Sequence, residues 1–194
     1  MKSIAISGSP RENVGKRDAK ELRYEGKVPA VLYGGPTQTH FAVSAADLKP
    51  VIYTPDVHFI DIEVAGVTSQ AVIQAIQFHP LTEAILHVDF LALDQNKPIA
   101  IEIPVKLTGT SPGVKMGGKL VQKLRKLRVK GLPKDHLDTI DVSIEGLEVG
   151  KSVRVGEITL PNLQITSAAE DTIVSVTTSR ALRQAEQEAA AGKK

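Results

Sequence analysis

Residues 11–35, RENVGKRDAKELRYEGKVPAVLYGG, contain the pattern that decides the fold. The bases Lys16, Lys20 and Arg23 recur three or four positions apart, so a short helix would carry them on one face. The apolar run at residues 28–33 predicts a strand, which enters a turn at a double glycine. A basic helix, a strand and a flexible turn in succession are typical of a surface that lies along a phosphate backbone.

The predicted helix has an inner and an outer face. Asp18 is placed to cap its beginning, and Gly26 is placed to end it. Ala19 and Leu22 would face inward, opposite the bases. Six bases and four acids share residues 11–35, so the stretch is not a disordered basic arm. From composition alone, an ordinary solvated helix face explains the bases as well as a nucleic-acid contact does.

The rest of the first half of the sequence predicts further short strands. Alternating apolar residues indicate strands at residues 2–8, 40–43, 58–64, 67–78 and 85–93. A second short helix opens at residues 44–47 and is expected to end near Pro50. Many short strands with one or two short helices favour a mainly β fold, in which a small β-barrel has helices at its edge.

A polar segment that ends in a proline divides the chain. Residues 94–98, DQNKP, predict a domain boundary, with a first domain at residues 1–94 and a second at residues 95–179. The second domain is also expected to be rich in β-structure, with strands near residues 99–107, 120–132, 139–144, 152–155 and 172–178. Residues 180–194, rich in Ala, Glu, Gln and Lys, predict a frayed helix or a flexible tail.

The composition excludes several classes of protein. The 194 residues include no cysteine, which excludes disulfides and thiolate metal sites and fits a reducing cytoplasm. No apolar run is long enough for a signal peptide or a membrane span, so we expect no membrane partner. Aromatic residues make up only 4% of the chain, so the cores are expected to consist mostly of Val, Ile and Leu.

Motifs for catalysis and cofactor binding are weak. The segment from Gly8 to Lys16 is two residues too long for a P-loop. His79, His87 and Asp89 could be imagined as a metal trio, but no helical HExxH motif or cysteine supports them. The G-x-S-x-G motif of hydrolases is missing as well. We therefore expect no enzyme activity, no cofactor and no metal.

Charge is distributed unevenly along the sequence. Residues 1–35 carry a net charge of +3, whereas residues 36–97 carry −5. If both segments belong to one domain, that domain is polarised and one face can meet a polyanion. Residues 115–130 hold seven bases and no acid, interleaved with apolar residues. This run predicts a strand with one basic face, which either contacts RNA or is simply solvated, and flanking glycines disfavour an amphipathic membrane helix.

Two predicted strands present candidate RNA-contacting residues. His87 and Asp89 share one strand face, where the carboxylate can accept from a guanine amino group and the imidazole can donate to a 2′-hydroxyl or a phosphate. The alternative is a histidine paired with its neighbouring carboxylate. His79 is a similar candidate at a strand end. Tyr33 is expected either to stack on RNA or to be a half-buried tyrosine of the barrel. Gly34 is expected to permit either a close approach of the backbone to RNA or a tight turn.

Several separated motifs occur in the order of a known family. The pattern R-x3-GK-x3-K-x-LR at residues 11–23 leads to GKVPAVLYGG at residues 26–35, and QFHP at 77–80 and LHVDF at 86–90 follow. Together they resemble the bacterial large-subunit ribosomal proteins that bind 5S ribosomal RNA. The second β domain makes the chain similar to the long, two-domain CTC (general stress protein) type. The resemblance implies an N-terminal barrel, an interface with 5S ribosomal RNA and a place in the central protuberance of a cytoplasmic ribosome.

The resemblance also implies which residues contact RNA. They are Arg11, Lys16, Lys20, Arg23, Tyr33, Gly34, Gln77, His79, His87 and Asp89. Glu21 departs from the family pattern, in which two adjacent bases often precede the Leu-Arg pair, and we expect it to pair with Arg17 or Lys27 instead. The implied partners are 5S ribosomal RNA and, through the C-terminal domain, 23S ribosomal RNA and neighbouring large-subunit proteins. The rival hypothesis is a free RNA-binding stress factor that acts on translation off the ribosome.

Overall fold

The computed structural model describes residues 3–178, and the first part of this range forms a closed six-stranded barrel. The strands are β1 (Ser3–Pro10), β2 (Lys27–Tyr33), β3 (Thr39–Ser44), β4 (Phe59–Val64), β5 (Val67–Phe78) and β6 (Ile85–Ala92). They close in the order β1-β3-β2-β6-β5-β4. The pairs β1–β4 and β2–β6 are parallel, and the other neighbours are antiparallel. The predicted barrel is thus confirmed.

Alternation along the strands gives the barrel a dry interior. In β6, Val88 and Phe90 point inward and are fully buried, whereas His87 and Asp89 face outward. Phe41 from β3 packs against Phe90, with ring centroids 5.8 Å apart. The rest of this core consists mainly of Val, Ile and Leu, as the low aromatic content predicts. The inward residues therefore fix the orientation of every outward side chain on the same strand.

The first helix, α1 (Lys16–Tyr24), lies close to the predicted position. The prediction that Asp18 caps it is wrong. Gly15 is the capping residue and offers no side-chain hydrogen bond, and Asp18 lies in the first turn of the helix. Gly26 follows the helix with a φ of +76°, a conformation that favours glycine and lets the chain turn into β2.

The second helix, α2 (Ala45–Ile52), begins where the sequence predicts but extends past its proline. The hydroxyl of Ser44 accepts a hydrogen bond from the backbone N–H of Ala46 at 3.3 Å, which caps the first turn. Leu48 and Val51 are both buried in the barrel core. This burial favours continuing the helix through Pro50, and α2 ends two residues later at Ile52, close to the predicted position.

A smaller apolar cluster covers part of the outer surface of the barrel. Val72 of β5 is buried there together with Ile99 and Ile101, and Leu91 of β6 packs beside them. These contacts associate the segment after β6 with the barrel. The compact units of the described chain are accordingly residues 3–101 with 131–138, and residues 102–130 with 139–178.

The second unit is also rich in β-structure. The strands and the helix after the barrel are β7 (Ile99–Thr108), α3 (Pro112–Lys115), β8 (Lys119–Gln122), β9 (Lys126–Gly131), β10 (Ile140–Ser143), β11 (Ser152–Arg154), β12 (Gln164–Ile165) and β13 (Thr172–Thr177). All of them lie in the second unit except residues 99–101 of β7 and Gly131 of β9, which belong to the first. One sheet has the order β10-β7-β9-β12, and the other has the order β11-β13-β8. Ile144, Leu147, Val174 and Val176 form a core in this unit. The predicted mainly β fold with short helices and a second β-rich domain is confirmed.

The predicted domain limits, residues 1–94 and 95–179, stay a prediction. We propose this two-domain division with one amendment, which is that residues 95–101 stabilise the barrel because Ile99 and Ile101 cover Val72. The tail predicted at residues 180–194 lies outside the described residues. In the described part of the chain, no helix has both the length and the apolar character needed to cross a membrane.

A buried histidine belongs to the first unit. His136 is 5% exposed, and its Nε2 donates to the carbonyl oxygen of Gly131 at 3.3 Å. Burial lowers the pKa of His136 from its ordinary value of 6.5. Hydrogen bonds to the backbone of Gly131 and Ile99 and the charge of Asp135 act in the opposite direction, but burial outweighs them. The folded protein therefore favours the neutral ring.

This histidine makes the stability of the protein depend on pH. The folded-state pKa of His136 is lower than its unfolded-state pKa, so its stabilising contribution is complete above about pH 6.5 and is lost as the pH falls through the folded-state pKa. Between about pH 7.5 and about pH 5.5, we expect the free energy of unfolding to fall more for the wild type than for His136→Gln, which cannot titrate. Urea unfolding at the two pH values provides the measurement. Parallel decreases in the two proteins would contradict the prediction.

Candidate nucleic-acid interface

Strand β6 brings together outward side chains from neighbouring strands. Val31 of β2 lies opposite Asp89, and Gln77 of β5 lies opposite His87. His87 and Asp89 are half-buried, while Gln77 is exposed. The inward residues of β6 occupy the core, so these three polar side chains share the outer surface. Three of the predicted RNA-contacting residues therefore form one patch, which we call the β6 patch: Gln77, His87 and Asp89.

Within the β6 patch, His87 and Asp89 contact each other. Nδ1 of His87 lies 2.8 Å from Oδ1 of Asp89, and the two side chains are 26% and 31% exposed. The ring nitrogen is close to the carboxylate but is not aligned for a hydrogen bond. The structure thus shows the pairing that the sequence left as an alternative. The contact does not use Nε2 of His87 or Oδ2 of Asp89.

Tyr33 and Gly34 lie at the end of β2. Tyr33 is half-buried and lies opposite Leu91 of β6. Gly34 has a φ of +87°, and a Cβ added there would lie 2.6 Å from Cδ1 of Leu91. The tight turn and the close approach to Leu91 are enough to require glycine at this position. Tyr33 is half-buried, as expected of a barrel tyrosine, and part of it is still exposed, as stacking on RNA would require.

The outer face of α1 carries three cations, which we call the α1 row: Lys16, Lys20 and Arg23. All three residues are exposed, and the opposite side of the helix is half-buried. Nε of Arg23 donates to the carbonyl oxygen of Leu86 at 3.1 Å. Leu86 immediately precedes His87, so this hydrogen bond fixes the α1 row beside the β6 patch.

Arg11 differs from the α1 row because its charge is satisfied within the protein. Its guanidinium forms an ion pair with Asp18 of α1, and its side chain is only 9% exposed. It also donates to the carbonyl oxygen of Asn13 at 3.1 Å. The backbone N–H of Arg11 donates to the carbonyl oxygen of His40 at 3.0 Å. Arg11 therefore anchors the loop before α1 to the helix and to β3.

Glu21, the departure from the family pattern, is turned to the side of α1. Its Oε1 accepts from Nε of Arg17 at 3.3 Å, which is one of the two pairings expected from the sequence. Lys27 pairs with Glu25 instead, at 3.2 Å. A base outside the α1 row thus engages the Glu21 carboxylate.

His79 shapes the turn between β5 and β6. Its Nδ1 accepts from the backbone N–H groups of Leu81 and Thr82, each at 3.3 Å. Its own backbone N–H donates to the carbonyl oxygen of Ala84 at 2.8 Å. Nδ1 is therefore committed to the turn, whereas Nε2 is not.

A groove beside the α1 row contains residues that sequence reasoning missed. Lys20, Arg23 and His79 line it together with Tyr24 of α1 and with Lys49 and Tyr53 of the α2 region. Tyr24 is 80% exposed, and the Lys20 ammonium lies 5.8 Å from the centroid of its ring. The position of Tyr24 next to Arg23 was a visible signal in the sequence. Lys49 and Tyr53 gave none, because only folding brings α2 to this groove.

Comparisons with known proteins cover both parts of the chain. The family model described as Ribosomal L25p family matches residues 6–90, which include most of the barrel, the α1 row and the β6 patch. The model described as Ribosomal protein TL5, C-terminal domain matches residues 98–180. The first matched segment corresponds to the barrel, and the second corresponds to the β-rich part of the chain that follows it.

Full-length relatives decide the family. The large ribosomal subunit protein bL25 of Cytophaga hutchinsonii is 46% identical over 194 residues and covers 100% of both chains. The protein of that name from Amoebophilus asiaticus is 45% identical over 183 residues, which cover 94% of this chain and 93% of its own. The chain belongs to the ribosomal L25p family. Membership confirms the resemblance to the long two-domain type and the prediction that the chain is not an enzyme, because L25p proteins are structural proteins.

Among residues 3–178, no group of three or more His, Asp or Glu side chains is arranged to hold a metal ion. Nδ1 of His79 is used within the β5–β6 turn, and Nδ1 of His87 faces Asp89. The geometry of this L25p barrel thus provides hydrogen-bonding groups and positive charge on a rigid surface.

Proposed function

We propose that this L25p chain is a structural constituent of the large ribosomal subunit in the cytoplasm and that its barrel binds 5S ribosomal RNA in the central protuberance. The names of the relatives, each a large ribosomal subunit protein, support the first part. The observation that carries the second part is the 3.1 Å hydrogen bond from Arg23 to the Leu86 carbonyl, which holds the α1 row beside the β6 patch. Together they form one surface that can engage the backbone and the groove of a single RNA duplex.

The α1 row would position the RNA through its phosphates. Lys16 and Lys20 are exposed and form no ion pair within the described residues, and Arg23 uses only Nε in its contact with Leu86. Each base that approaches a phosphate releases condensed counterions, so affinity falls steeply with salt. Such contacts fix the register of the protein on the duplex and carry no sequence information.

The β6 patch would supply hydrogen bonds in the minor groove. Duplex RNA has a wide, shallow minor groove lined with 2′-hydroxyls and base edges, which a rigid sheet with short side chains can approach. Oδ2 of Asp89 can accept from a guanine amino group, the one donor that base edges present there. Nε2 of His87 and the amide of Gln77 can donate to 2′-hydroxyls or to base acceptors.

Four further predicted residues would support this interface mainly through shape. Arg11 orders the loop before α1, and His79 closes the turn between β5 and β6. Gly34 lets the chain turn after β2, where the half-exposed ring of Tyr33 would meet a ribose or a base. The proposed contribution of Arg11 is therefore to orient Lys16 rather than to provide free charge.

The proposed partners extend beyond 5S ribosomal RNA. The C-terminal domain would contact 23S ribosomal RNA and neighbouring large-subunit proteins. A free stress factor acting off the ribosome is the alternative, and cosedimentation separates the two. A ribosomal constituent should sediment with large subunits after a moderate salt wash, whereas a free factor should stay in the supernatant.

We expect Lys16→Ala/Lys20→Ala to weaken binding of the full chain to isolated 5S RNA. The slope of log K against log salt should become shallower by about 0.9 for each phosphate that the variant no longer neutralises. Binding titrations at several salt concentrations provide the measurement. Lys151→Ala is the control, because Lys151 lies in the second unit and pairs with Glu148 at 2.9 Å. If the double variant keeps the wild-type slope, the α1 row does not contact RNA.

A further inference from the structure

Strand β9 of the second unit has two chemically different faces. Leu127 and Val129 are fully buried, whereas Lys126, Arg128 and Lys130 alternate with them and are exposed. We propose that this exposed row, which we call the β9 row (Lys126, Arg128 and Lys130), binds the phosphate backbone of duplex RNA. The proposed site is separate from the barrel interface and does not rest on binding of 5S RNA.

The spacing of the β9 row suits a phosphate backbone. Alternate residues on a strand project from the same face about 6.6 Å apart, because the rise is about 3.3 Å per residue. This distance is comparable with the separation of successive phosphates along one nucleic-acid strand. Three cations in line can therefore each approach a different phosphate. Each phosphate that is neutralised in this way releases condensed counterions, which favours binding.

The charge of the β9 row is not neutralised by its neighbours. None of the three residues forms an ion pair with another described side chain, as the ion pairs of this unit involve other residues. On the adjoining strand β12, the neutral Gln164 lies opposite Lys130. The acidic residues exposed on the sheet are Glu102 of β7 and Asp141 of β10, and Asp141 lies in register with Lys106. Glu102 is thus on the strand next to β9, but within the described residues it forms no ion pair with the row, so the three bases keep their charged ends available.

Hydrogen bonds hold the β9 row in place before any ligand arrives. The backbone N–H of Thr166 donates to the carbonyl oxygen of Arg128 at 2.8 Å. The backbone N–H of Arg128 donates to the hydroxyl of Ser167 at 3.3 Å. The backbone N–H of Val105 in β7 donates to the carbonyl oxygen of Arg125 at 2.9 Å, just before the strand. Because β9 is already ordered, its backbone gives up little entropy when its side chains meet phosphates.

Two more bases extend this surface at the beginning of β9. Lys123 and Arg125 are exposed in the connection from β8. The amide of Gln122 donates to the carbonyl oxygens of Leu124 and Val105, each at 3.3 Å, and so fixes the connection. Two further exposed bases thus precede the β9 row in a connection that is itself held by hydrogen bonds.

The chemistry favours duplex RNA over a single strand. Proteins that bind single strands combine a basic groove with aromatic side chains on which the bases stack. All seven aromatic residues of this chain lie within residues 24–90, so the second unit offers charge and hydrogen-bond donors for a backbone but no aromatic platform. Charge complementarity with a polyanion therefore selects the backbone of a duplex as the occupant.

The test uses the full chain and an RNA duplex of about 16 base pairs with an arbitrary sequence. All proteins carry Lys16→Ala/Lys20→Ala to reduce the contribution of the α1 row. Lys126→Gln/Arg128→Gln/Lys130→Gln should make the slope of log K against log salt shallower by about 2.7, because three phosphates are no longer neutralised. Between about 50 and about 200 mM salt, the decrease in affinity should then be roughly 40-fold smaller than with the β9 row intact.

A matched control removes the same charge elsewhere in the second unit. Lys106→Gln/Lys151→Gln/Arg154→Gln changes three exposed bases outside the β9 row and should keep the slope. Equal changes of slope in the two triple variants would show a net-charge effect and overturn the proposal. Tighter binding to the single strand than to the duplex would overturn it as well. No duplex binding at about 50 mM salt with the β9 row intact would also reject it and leave an acidic protein surface as the candidate partner.

A second variant covers the case in which the triple variant fails to fold, as judged by circular dichroism. Arg128→Gln alone should make the slope shallower by about 0.9, and Arg128→Lys should restore it. An unchanged slope in Arg128→Gln would reject the proposal. Binding of 5S RNA is measured separately in proteins with an intact α1 row, so a failed barrel interface and a failed β9 row give different results.

Discussion

Replacement of Phe41 by alanine should lower the free energy of unfolding of the barrel by about 3–5 kcal/mol. Phe41 is fully buried, and its ring lies 5.8 Å from that of Phe90 at the centre of the core. Removing the ring eliminates its burial and leaves a cavity that strands fixed in a closed barrel cannot fill by moving together. The matched control is Phe78→Ala, since Phe78 is 44% exposed, and its destabilisation should be smaller.

Urea unfolding followed by tyrosine fluorescence measures this effect. All three tyrosines, Tyr24, Tyr33 and Tyr53, lie in the unit that contains the barrel, so the signal reports on that unit. If the proposed second domain unfolds independently, Phe41→Ala should shift only the tyrosine transition. Equal destabilisation by Phe41→Ala and Phe78→Ala would contradict the assignment of Phe41 to the core.

Gly8 offers a second test of the same packing. A Cβ added to Gly8 would lie 2.5 Å from Cδ2 of Phe41, so Gly8→Ala should destabilise the wild type. In the Phe41→Ala background the added methyl group would enter the vacated space, so Gly8→Ala should be neutral or stabilising there. A double-mutant cycle isolates this coupling. Additive effects would show that Gly8 and Phe41 do not share the space.

The second large effect is expected for Asp89→Asn, which should weaken binding to 5S RNA by roughly tenfold to hundredfold. Removing a hydrogen bond to a charged acceptor costs about 1.5–3 kcal/mol, and the new amide would place a donor against the guanine amino group. Asp89 is 31% exposed, and one of its oxygens already faces His87, so the fold should survive the change. Affinity at fixed salt, with circular dichroism to verify folding, provides the measurement.

A purely electrostatic account predicts the opposite sign. Asp89 would be an anion near a polyanion, so removing its charge should tighten binding. Asp61→Asn separates the two accounts. Asp61 lies on β4 opposite Gln70 of β5, seven residues along that strand from Gln77 of the β6 patch, and its Oδ1 accepts from the amide of Gln70 at 3.4 Å. Electrostatics predicts tighter binding for both variants, whereas a contact role predicts weaker binding for Asp89→Asn alone. Tighter binding by folded Asp89→Asn would refute the contact.

The spacing of apolar and polar residues in the sequence was sufficient to predict the barrel and to predict which side chains share a face of a strand or helix. The alternation of residues 85–92 places Val88 and Phe90 inside and His87 and Asp89 outside, and β6 has this arrangement. The three-or-four spacing of Lys16, Lys20 and Arg23 likewise places them together on α1. Such features are predictable because a helix or a strand has a fixed period, and the period is a local property of the chain.

Two details of the helices depended on contacts that are not local. Pro50 is expected to end a helix, but Leu48 and Val51 are buried in the barrel core and α2 continues through it. Asp18 has the chemistry of a cap, yet it lies within α1 and pairs with Arg11. Local propensities amount to about 1 kcal/mol or less for most residues and to about 3 kcal/mol for a proline inside a helix. Burial of one apolar side chain contributes about 1.5–3 kcal/mol, so burial of both Leu48 and Val51 is large enough to override the proline.

The roles of individual polar residues were decided only by the tertiary structure. The sequence placed Arg11 among the bases of the interface, whereas the fold commits its guanidinium to Asp18. The sequence placed His79 at a strand end, whereas the fold uses its Nδ1 to close a turn. Residue type and spacing determine which groups can bind RNA. Which of them remain free depends on the partners that the folded chain places beside each group, and those partners can be distant in sequence, as Leu86 is from Arg23.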